Sequence, residues 1–435
     1  MACHLRIAKD GTLRSWRFTR AKICVAANIA YEDAQAAMDA AAGQGVEAAS
    51  PACAMPPVHP VVTEHLTELA LKPLWGAWRA LLAARNRREP LELDLPERRV
   101  MLDEKGRILS IAPRDRLDAH RLVEDYMIAA NVAAARALEA KKAPVMYRVH
   151  EAPGREKLVA LKDYLATFGI DFALGQVVRP GTFNRIIERV GGGPGRSEIM
   201  EQLLRTQMQA RYAPERLGHF GLALATYAHF TSPIRRYADL IVHRALVGAL
   251  KLGAGGLPDG AEAGLAEIAA QISAAERRAM AAERDTIDRL VAHWLADRIG
   301  ATFSGRISGV TRAGLFVKLD ETGADGFVPM STLGGDYFRY DEARHAVIGT
   351  QTGEMHRLGD TVEVFGGDHV AGVGHRAEAD GPFGQAKGDG FAARELAADE
   401  AVDRVVDGEV GALEHAGEDG AGREAVLVGV DADGI

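Results

Sequence analysis

Three cysteines in 435 residues, Cys3, Cys24 and Cys53, with no CxxC or Cys/His spacing among them, exclude a disulfide scaffold and a zinc ribbon. No apolar run approaches the roughly 18 residues that a membrane-spanning helix needs. No charged-then-apolar leader opens the chain either, so the expectation is a cytoplasmic protein with no membrane partner. Aromatic residues make up only 6% of the chain. No two aspartates are adjacent anywhere, and Asp10, Asp33 and Asp39 are spread over a turn and a helix, so no carboxylate cluster dense enough to hold a magnesium ion is visible.

What is present supports real cores: 47% of the residues are hydrophobic, and 435 residues suggest two to three domains. The formal net charge of -8 is the wrong sign for a nucleic-acid binder, but it is uneven. Of 52 basic and 60 acidic residues, 5 and 16 lie from Gly367 onward, a net -11, which leaves 47 against 44, or +3, for residues 1–366. Within residues 141–250 the count is 16 against 9, or +7. The body is basic where a polyanion would bind, and the acidity belongs to the tail.

Residues 219–244 organise the rest. They set histidines, tyrosines, a Ser-Pro turn and the adjacent Arg235 and Arg236 into an otherwise apolar run. Ser232 reads as an N-cap and Pro233 as the first helical turn, after which Tyr237, Leu240, Ile241, Arg244 and Ala245 recur at helical spacing. Unpaired N–H groups and two guanidiniums at such a terminus suit a phosphodiester. Asp239 in the next turn can offset part of their charge. The residues alone leave two readings open: a phosphate clamp, or a surface helix whose arginines pair with local acids.

The run HFTSPIRRYADLIVHRAL resembles the most characteristic motif of the ribonuclease II and ribonuclease R family, processive 3′ exoribonucleases that use a divalent metal, and the likeness extends from residue 1 to about 365. The resemblance implies that Arg235 contacts the scissile phosphate and that Tyr227, His229, Thr231 and Arg236 shape the same pocket. It also implies Mg2+, yet the segment carrying the family's metal-binding aspartates, which precedes the opening hairpin, is not found. The expectation is a truncated gene model whose Met1 is internal to the ancestral protein. His219 and His243 have no ligand spacing and read as structural.

Taken in order, HLRIAKDGTLRSWRFTRAKI is a hairpin with a Lys-Asp-Gly turn. Residues 21–42 read as an Ala-rich helix containing Tyr31, which by resemblance stacks on a base near the 3′ end and by its surroundings is equally a core tyrosine. Residues 43–60 are a Gly/Ala/Pro loop, 62–88 an amphipathic helix with a basic end, and 91–111 two strands. In a helix over 118–141, His120, Glu124 and Asn131 share one polar stripe. The resemblance puts Glu124 near the terminal nucleotide and Asn131 in the same helix; capping and core-satisfying roles are the alternatives. A strand over 143–150 and helices interrupted by GGGPG read as scaffold. The helix over 262–299 carries Glu-Arg pairs that read as a solvated face, with Glu276 and Glu283 matching family positions near the active channel.

After Gly300, FSGRISGV, GLFVKL and DGFVPMSTL have the rhythm of a small barrel and resemble the S1-type OB fold. Such barrels hold single strands on strands two and three, which points to Phe303, Arg306, Phe316 and Lys318, although strand alternation sends some of these inward. The family's Val-His-Ile-Ser is here Val328-Pro329-Met330-Ser331, and DYFRYDEARHAVIG resembles the ribonuclease R form. Beyond Val364 the strand pattern stops; a frameshift near Phe365, an open barrel edge and a disordered acidic tail are the expectations, with EAVLVGV the tail's candidate for a substitute closing strand.

The fold class is α+β: the C-terminal portion of an RNB-type catalytic domain over residues 1–250, a helical bridge over 251–299, an S1-type OB barrel over 300–366 and a tail over 367–435. The function implied by resemblance is hydrolysis of single-stranded RNA from its 3′ end to nucleoside 5′-monophosphates. The alternative is a catalytically silent RNA-binding fragment, because the aspartate cluster is missing. Single-stranded RNA is the one partner either reading names.

Overall fold

The computed structural model describes residues 1–43, 62–93, 98–103, 108–113, 116–175, 177–192, 195–341, 346–365, 373–374 and 427–430. Strands β1 (Ala2–Ile7) and β2 (Leu13–Thr19) form the expected hairpin, with Cys3 opposite Phe18 and Leu5 opposite Trp16. Its turn must have glycine. Gly11 has φ +77, and a Cβ there would meet the Ala80 carbonyl oxygen at 2.0 Å. Helix α1 (Tyr31–Ala41) begins ten residues later than expected. Ile23, Val25 and Ile29 lower helix propensity ahead of it, and Glu32 and Asp33 complement the positive end of a helix that starts at Tyr31.

The next rod is α2 (Glu64–Leu66), a π-helical turn (Thr67–Leu71) and α3 (Lys72–Arg88). Pro73 has no N–H for the carbonyl four residues back, which favours the wider turn just before it. After the antiparallel pair β3 (Arg98–Leu102) and β4 (Ile108–Pro113), helix α4 (Asp118–Ala140) runs through the middle of the domain, most of its buried residues being alanines and aliphatics. Strand β5 (Tyr147–Val149) pairs with β6 (Arg211–Ala213), and between them α5 (Arg155–Ala166), α6 (Pro180–Val190) and α7 (Arg196–Thr206) enclose their own core around Leu161, Phe183 and Leu203.

Helix α8 (Tyr237–Ala249) packs on α4, and α9 (Leu265–Ala296) leads to the barrel. The barrel is β7 (Thr302–Val310), β8 (Gly314–Leu319), β9 (Asp325–Pro329), β10 (Phe338–Asp341), β11 (Ala346–Gly349), β12 (Met355–Arg357) and β13 (Thr361–Phe365). Strands β13, β7, β8 and β9 lie side by side, and β10, β11 and β12 form a second sheet. Trp294 of α9 enters the barrel core against Phe303, ring centroids 6.3 Å apart.

Two expectations about the tail are corrected. Val373–Gly374 pairs along the β13 edge, so that edge is not wholly open. Leu427–Val430, from the tail expected to be disordered and from the segment named as a candidate closing strand, lies parallel to β1 instead, with Ala2 opposite Leu427 and Leu5 opposite Val430; the row of backbone donors and acceptors along β1 offers it a partner. The rest of the tail and most of the 43–60 loop lie outside the described residues. Among the described residues, no helix is long and apolar enough to cross a membrane.

Candidate nucleic-acid interface

The turn before α8 is pinned from behind by one carboxylate. Asp239 is fully buried at 0% exposure. It accepts the Ser232 N–H at 2.8 Å and takes the Arg236 guanidinium in a two-pronged pair, Nε and Nη2 each at 2.8 Å. Arg236 also reaches Thr231 Oγ1 at 3.5 Å. The helix therefore begins at Tyr237 and not at Pro233, and Ser232 is a recipient of the cap rather than the cap itself. Arg236, expected to line the pocket, is occupied as the counter-ion of Asp239.

Arg235 has the opposite fate. Its backbone N–H closes the turn on the Ser232 carbonyl at 3.3 Å. Its guanidinium is exposed, and among the described residues no hydrogen bond or ion pair engages it. Exposed Ile234 and Tyr237 flank it, at 88% and 53%. The exposed guanidinium offers a phosphate a fork of donors, and the exposed Tyr237 ring offers a base a stacking surface.

Behind this tip lies a packed polar wall. The His229 Nδ1 and Tyr212 hydroxyl are 2.9 Å apart. Burial first, then the cations Arg236 and Arg148, drive the His229 pKa down to about 2, so the ring is neutral. Burial likewise pushes Tyr212 up to about 12. Arg148 stacks over the Tyr212 ring at 4.7 Å and donates to Glu276 at 2.6 Å. Ser273 of α9 accepts the Tyr212 N–H at 2.9 Å. His219 is held neutral by burial, its pKa near 3, and its Nδ1 accepts the Leu222 N–H at 3.2 Å. His243 bonds the Phe230 carbonyl at 2.8 Å. Both histidines are hydrogen-bonded within the wall.

Asn131 belongs to this wall and not to an open surface. At 2% exposure, it donates to the Tyr227 hydroxyl at 3.0 Å and accepts the Phe230 N–H at 2.8 Å. Tyr227 is itself buried, with its ring edge-on to His229. The burial and bonding of Asn131 fit the core-satisfying alternative, and Tyr227, expected to shape the pocket, shares that buried bond.

A second group sits at the start of α4. Tyr31 stacks on His120 with centroids 4.2 Å apart, and the His120 Nδ1 accepts the Leu117 N–H, capping the helix. Tyr31 remains half open to solvent. Glu124 is engaged by Arg116 at 2.7 Å and by Arg85 at 3.8 Å, so it stands as an anion between two cations at the rim. Behind it, Asp125 is held by Trp78 Nε1 at 2.9 Å and Arg85 at 3.2 Å.

The barrel gives a third group and one correction. Phe303 is buried in the barrel core, because strand parity turns it inward beside Ile307. Phe316 is 43% exposed and rests against Phe327 at 5.1 Å. Arg306 lies 3.8 Å from Asp320, and Lys318 is ion-paired with Glu201 of α7.

Among the described residues no three His, Cys, Asp or Glu side chains converge on a point that could hold a metal ion. The magnesium implied by resemblance is thus not fitted by these residues. Sequence reasoning missed Arg148, Tyr212 and Ser273 as parts of the wall. The signal was available in part: Tyr147-Arg148 and Arg211-Tyr212 sit on facing strands, with Arg148 opposite Tyr212.

An exposed cationic tip on a mixed helical and stranded domain, followed by a small barrel, defines the class, and comparison with known proteins agrees. The RNB domain matches residues 1–252 and the S1 RNA binding domain residues 296–364, so the chain belongs to the RNB family of ribonucleases. It is similar to ribonuclease R of Escherichia coli (strain K12), 35% identical over 372 residues, covering 84% of this chain and 44% of that protein. It is 42% identical to ribonuclease R of Aquifex aeolicus over 281 residues, covering 63% of this chain and 39% of the relative. Among solved structures, the apo form of Mycoplasma genitalium RNase R superposes with a TM-score of 0.72 at 25% identity, covering 85% of this chain and 56% of that one. The same protein in complex with ribose-methylated single-stranded RNA gives a TM-score of 0.64 at 28% identity, covering 71% of this chain and 50% of that one. The chain spans less than half the length of these two curated relatives.

Proposed function

We propose that this chain carries the RNA-holding part of a cytoplasmic 3′-to-5′ exoribonuclease that hydrolyses single-stranded RNA to nucleoside 5′-monophosphates. The observation that carries the reading is Arg235: an exposed guanidinium with no partner among the described residues, set on a turn that the Arg236–Asp239 pair makes rigid. In phosphodiester hydrolysis a water oxygen bonds to phosphorus as the leaving O3′ departs, and charge builds on the non-bridging oxygens. A fixed bidentate donor stabilises that charge more than it stabilises the ground state. Arg236 cannot serve, because its fork is already committed. Neutral His229 leaves Arg235 as the cation presented to solvent at this turn, and Tyr237 and Tyr31 are the aromatic surfaces for flanking bases.

The complex of Mycoplasma genitalium RNase R with single-stranded RNA supports the choice of ligand. Magnesium dependence belongs to the proposal on family grounds, and the carboxylates for it are to be sought outside the described residues. The test is to incubate the purified chain with 5′-labelled RNA bearing a free 3′ tail and Mg2+, beside R235A. Mononucleotides released by the wild type and lost in R235A, with RNA binding retained, are expected. Equal release by both would remove Arg235 from the reaction. Salt-sensitive binding with no release by the wild type would leave the RNA-holding role and overturn hydrolysis by this chain.

A further inference from the structure

The outer face of the barrel is not open. Along β7 and β8, Phe303, Ile307, Leu315 and Val317 point inward, and Arg306, Ser308, Phe316 and Lys318 point outward. On a small barrel that face suits a single-stranded polyanion. Helix α7 nevertheless lies across its basic half. Glu201 of α7 pairs with Lys318. On the barrel turn, Gly359 approaches the first residue before α7 so closely that a Cβ there would meet the Gly195 Cα at 3.3 Å. Between the two elements is a cavity of about 560 Å3 lined by Tyr164, Glu198, Glu201, Arg205, Arg306 and Lys318, among others.

Glu198 is the unusual member. It is only 9% exposed, and its Oε2 has no hydrogen-bond partner among the described residues. Burial raises its pKa, while Arg306 and Lys318 pull it back down. A buried carboxylate oxygen without a donor is costly and calls for an explanation.

We propose that Glu198 and Glu201 stand in for RNA phosphates: they hold the basic half of the barrel face when no RNA is present, and a single strand gains Arg306 and Lys318 by displacing the two carboxylates and opening the cleft, with α7 kept on its own core beside α5 and α6. The proposal rests on the RNA-binding reading above. Its energetics favour exchange. The Glu201 and Lys318 side chains are 26% and 30% exposed, and ion pairs nearer the surface contribute little. An RNA phosphate replaces the pair and adds counterion release, and opening the cleft returns the unpaired Glu198 oxygen to water. Phe316, already exposed, gives the strand its first foothold.

The test measures binding of a labelled oligouridylate to the full chain, without Mg2+. E198Q/E201Q should bind about two- to tenfold more tightly, whereas D259N/E262Q, which removes the same charge at exposed positions ahead of α9, should not. R306A/K318A should bind more weakly. If E198Q/E201Q matches the D259N/E262Q control or weakens binding, the displacement is overturned, while a loss in R306A/K318A still keeps the barrel as an RNA site. If R306A/K318A binds like wild type, the barrel reading and the displacement fall together. E201Q alone, a milder change, should tighten binding by a smaller factor and decides the matter if the double variant does not fold.

Discussion

Replacing Arg236 by alanine strands a carboxylate in the protein interior, and replacing its neighbour Arg235 does not. In R236A, Asp239 keeps only the Ser232 N–H of the three donors that now satisfy it, at 0% exposure. Removing one partner of a buried pair typically costs about 3–5 kcal/mol. For a domain near 250 residues, that lowers the melting temperature by roughly 6–20 °C. D239N should lose a similar amount, since it leaves the guanidinium half-paired. R235A removes an exposed side chain with no partner among the described residues, and should change stability by no more than about 0.5 kcal/mol. Thermal and urea unfolding followed by circular dichroism separate the two arginines. If R235A and R236A lose equal stability, or if R236A loses less than about 1 kcal/mol, the division of labour derived from Asp239 is wrong.

Acidification should destabilise the fold well above the carboxylate range. His219 and His229 titrate near 6.5 when unfolded but are depressed to about 3 and about 2 in the fold, so the unfolded chain binds more protons below pH 6.5 and stability falls as pH falls. The slope is up to about 1.4 kcal/mol per pH unit for each ring, and a urea midpoint that is flat or rises between pH 7 and 5.5 counts against it. On the barrel, F303A should cost about 3–5 kcal/mol of stability. F316A should instead leave unfolding nearly unchanged and weaken oligouridylate binding by roughly fivefold to a hundredfold, the loss of about 1–3 kcal/mol for one stacked base; equal behaviour of the two variants would show that strand parity has been misassigned.

The elements whose patterns are local were legible in the sequence. The helix expected over 118–141 is Asp118–Ala140, and the Gly-punctuated strands after Gly300 are the barrel strands. Distance along the chain defeated the rest. Which of two adjacent arginines is free depends on where Asp239 turns its carboxylate, and that is fixed by packing around α8. Whether Phe303 faces in or out needs the barrel to exist first, because parity alone gives two answers. The pairing of Glu201 with Lys318 joins residues 117 apart in sequence, and nothing in either local pattern announces it. The strand Leu427–Val430 was recognisable as strand-like, but its partner lies at the opposite end of the chain.

Helix α9 is also a ruler. Ser273 and Glu276 near its beginning are fastened to the wall behind Arg235, and Trp294 near its end is fastened inside the barrel. Glu276 and Trp294 stand 18 residues apart on one unbroken helix, about 27 Å at 1.5 Å per residue. A helix has little give along its axis, so the separation between the two anchorages is set by a count of residues and not by loop flexibility. Adding or deleting one turn within α9 would move the barrel by about 5 Å along the axis while leaving both anchorages chemically intact, and the shortest strand able to engage both ends would lengthen or shorten with it.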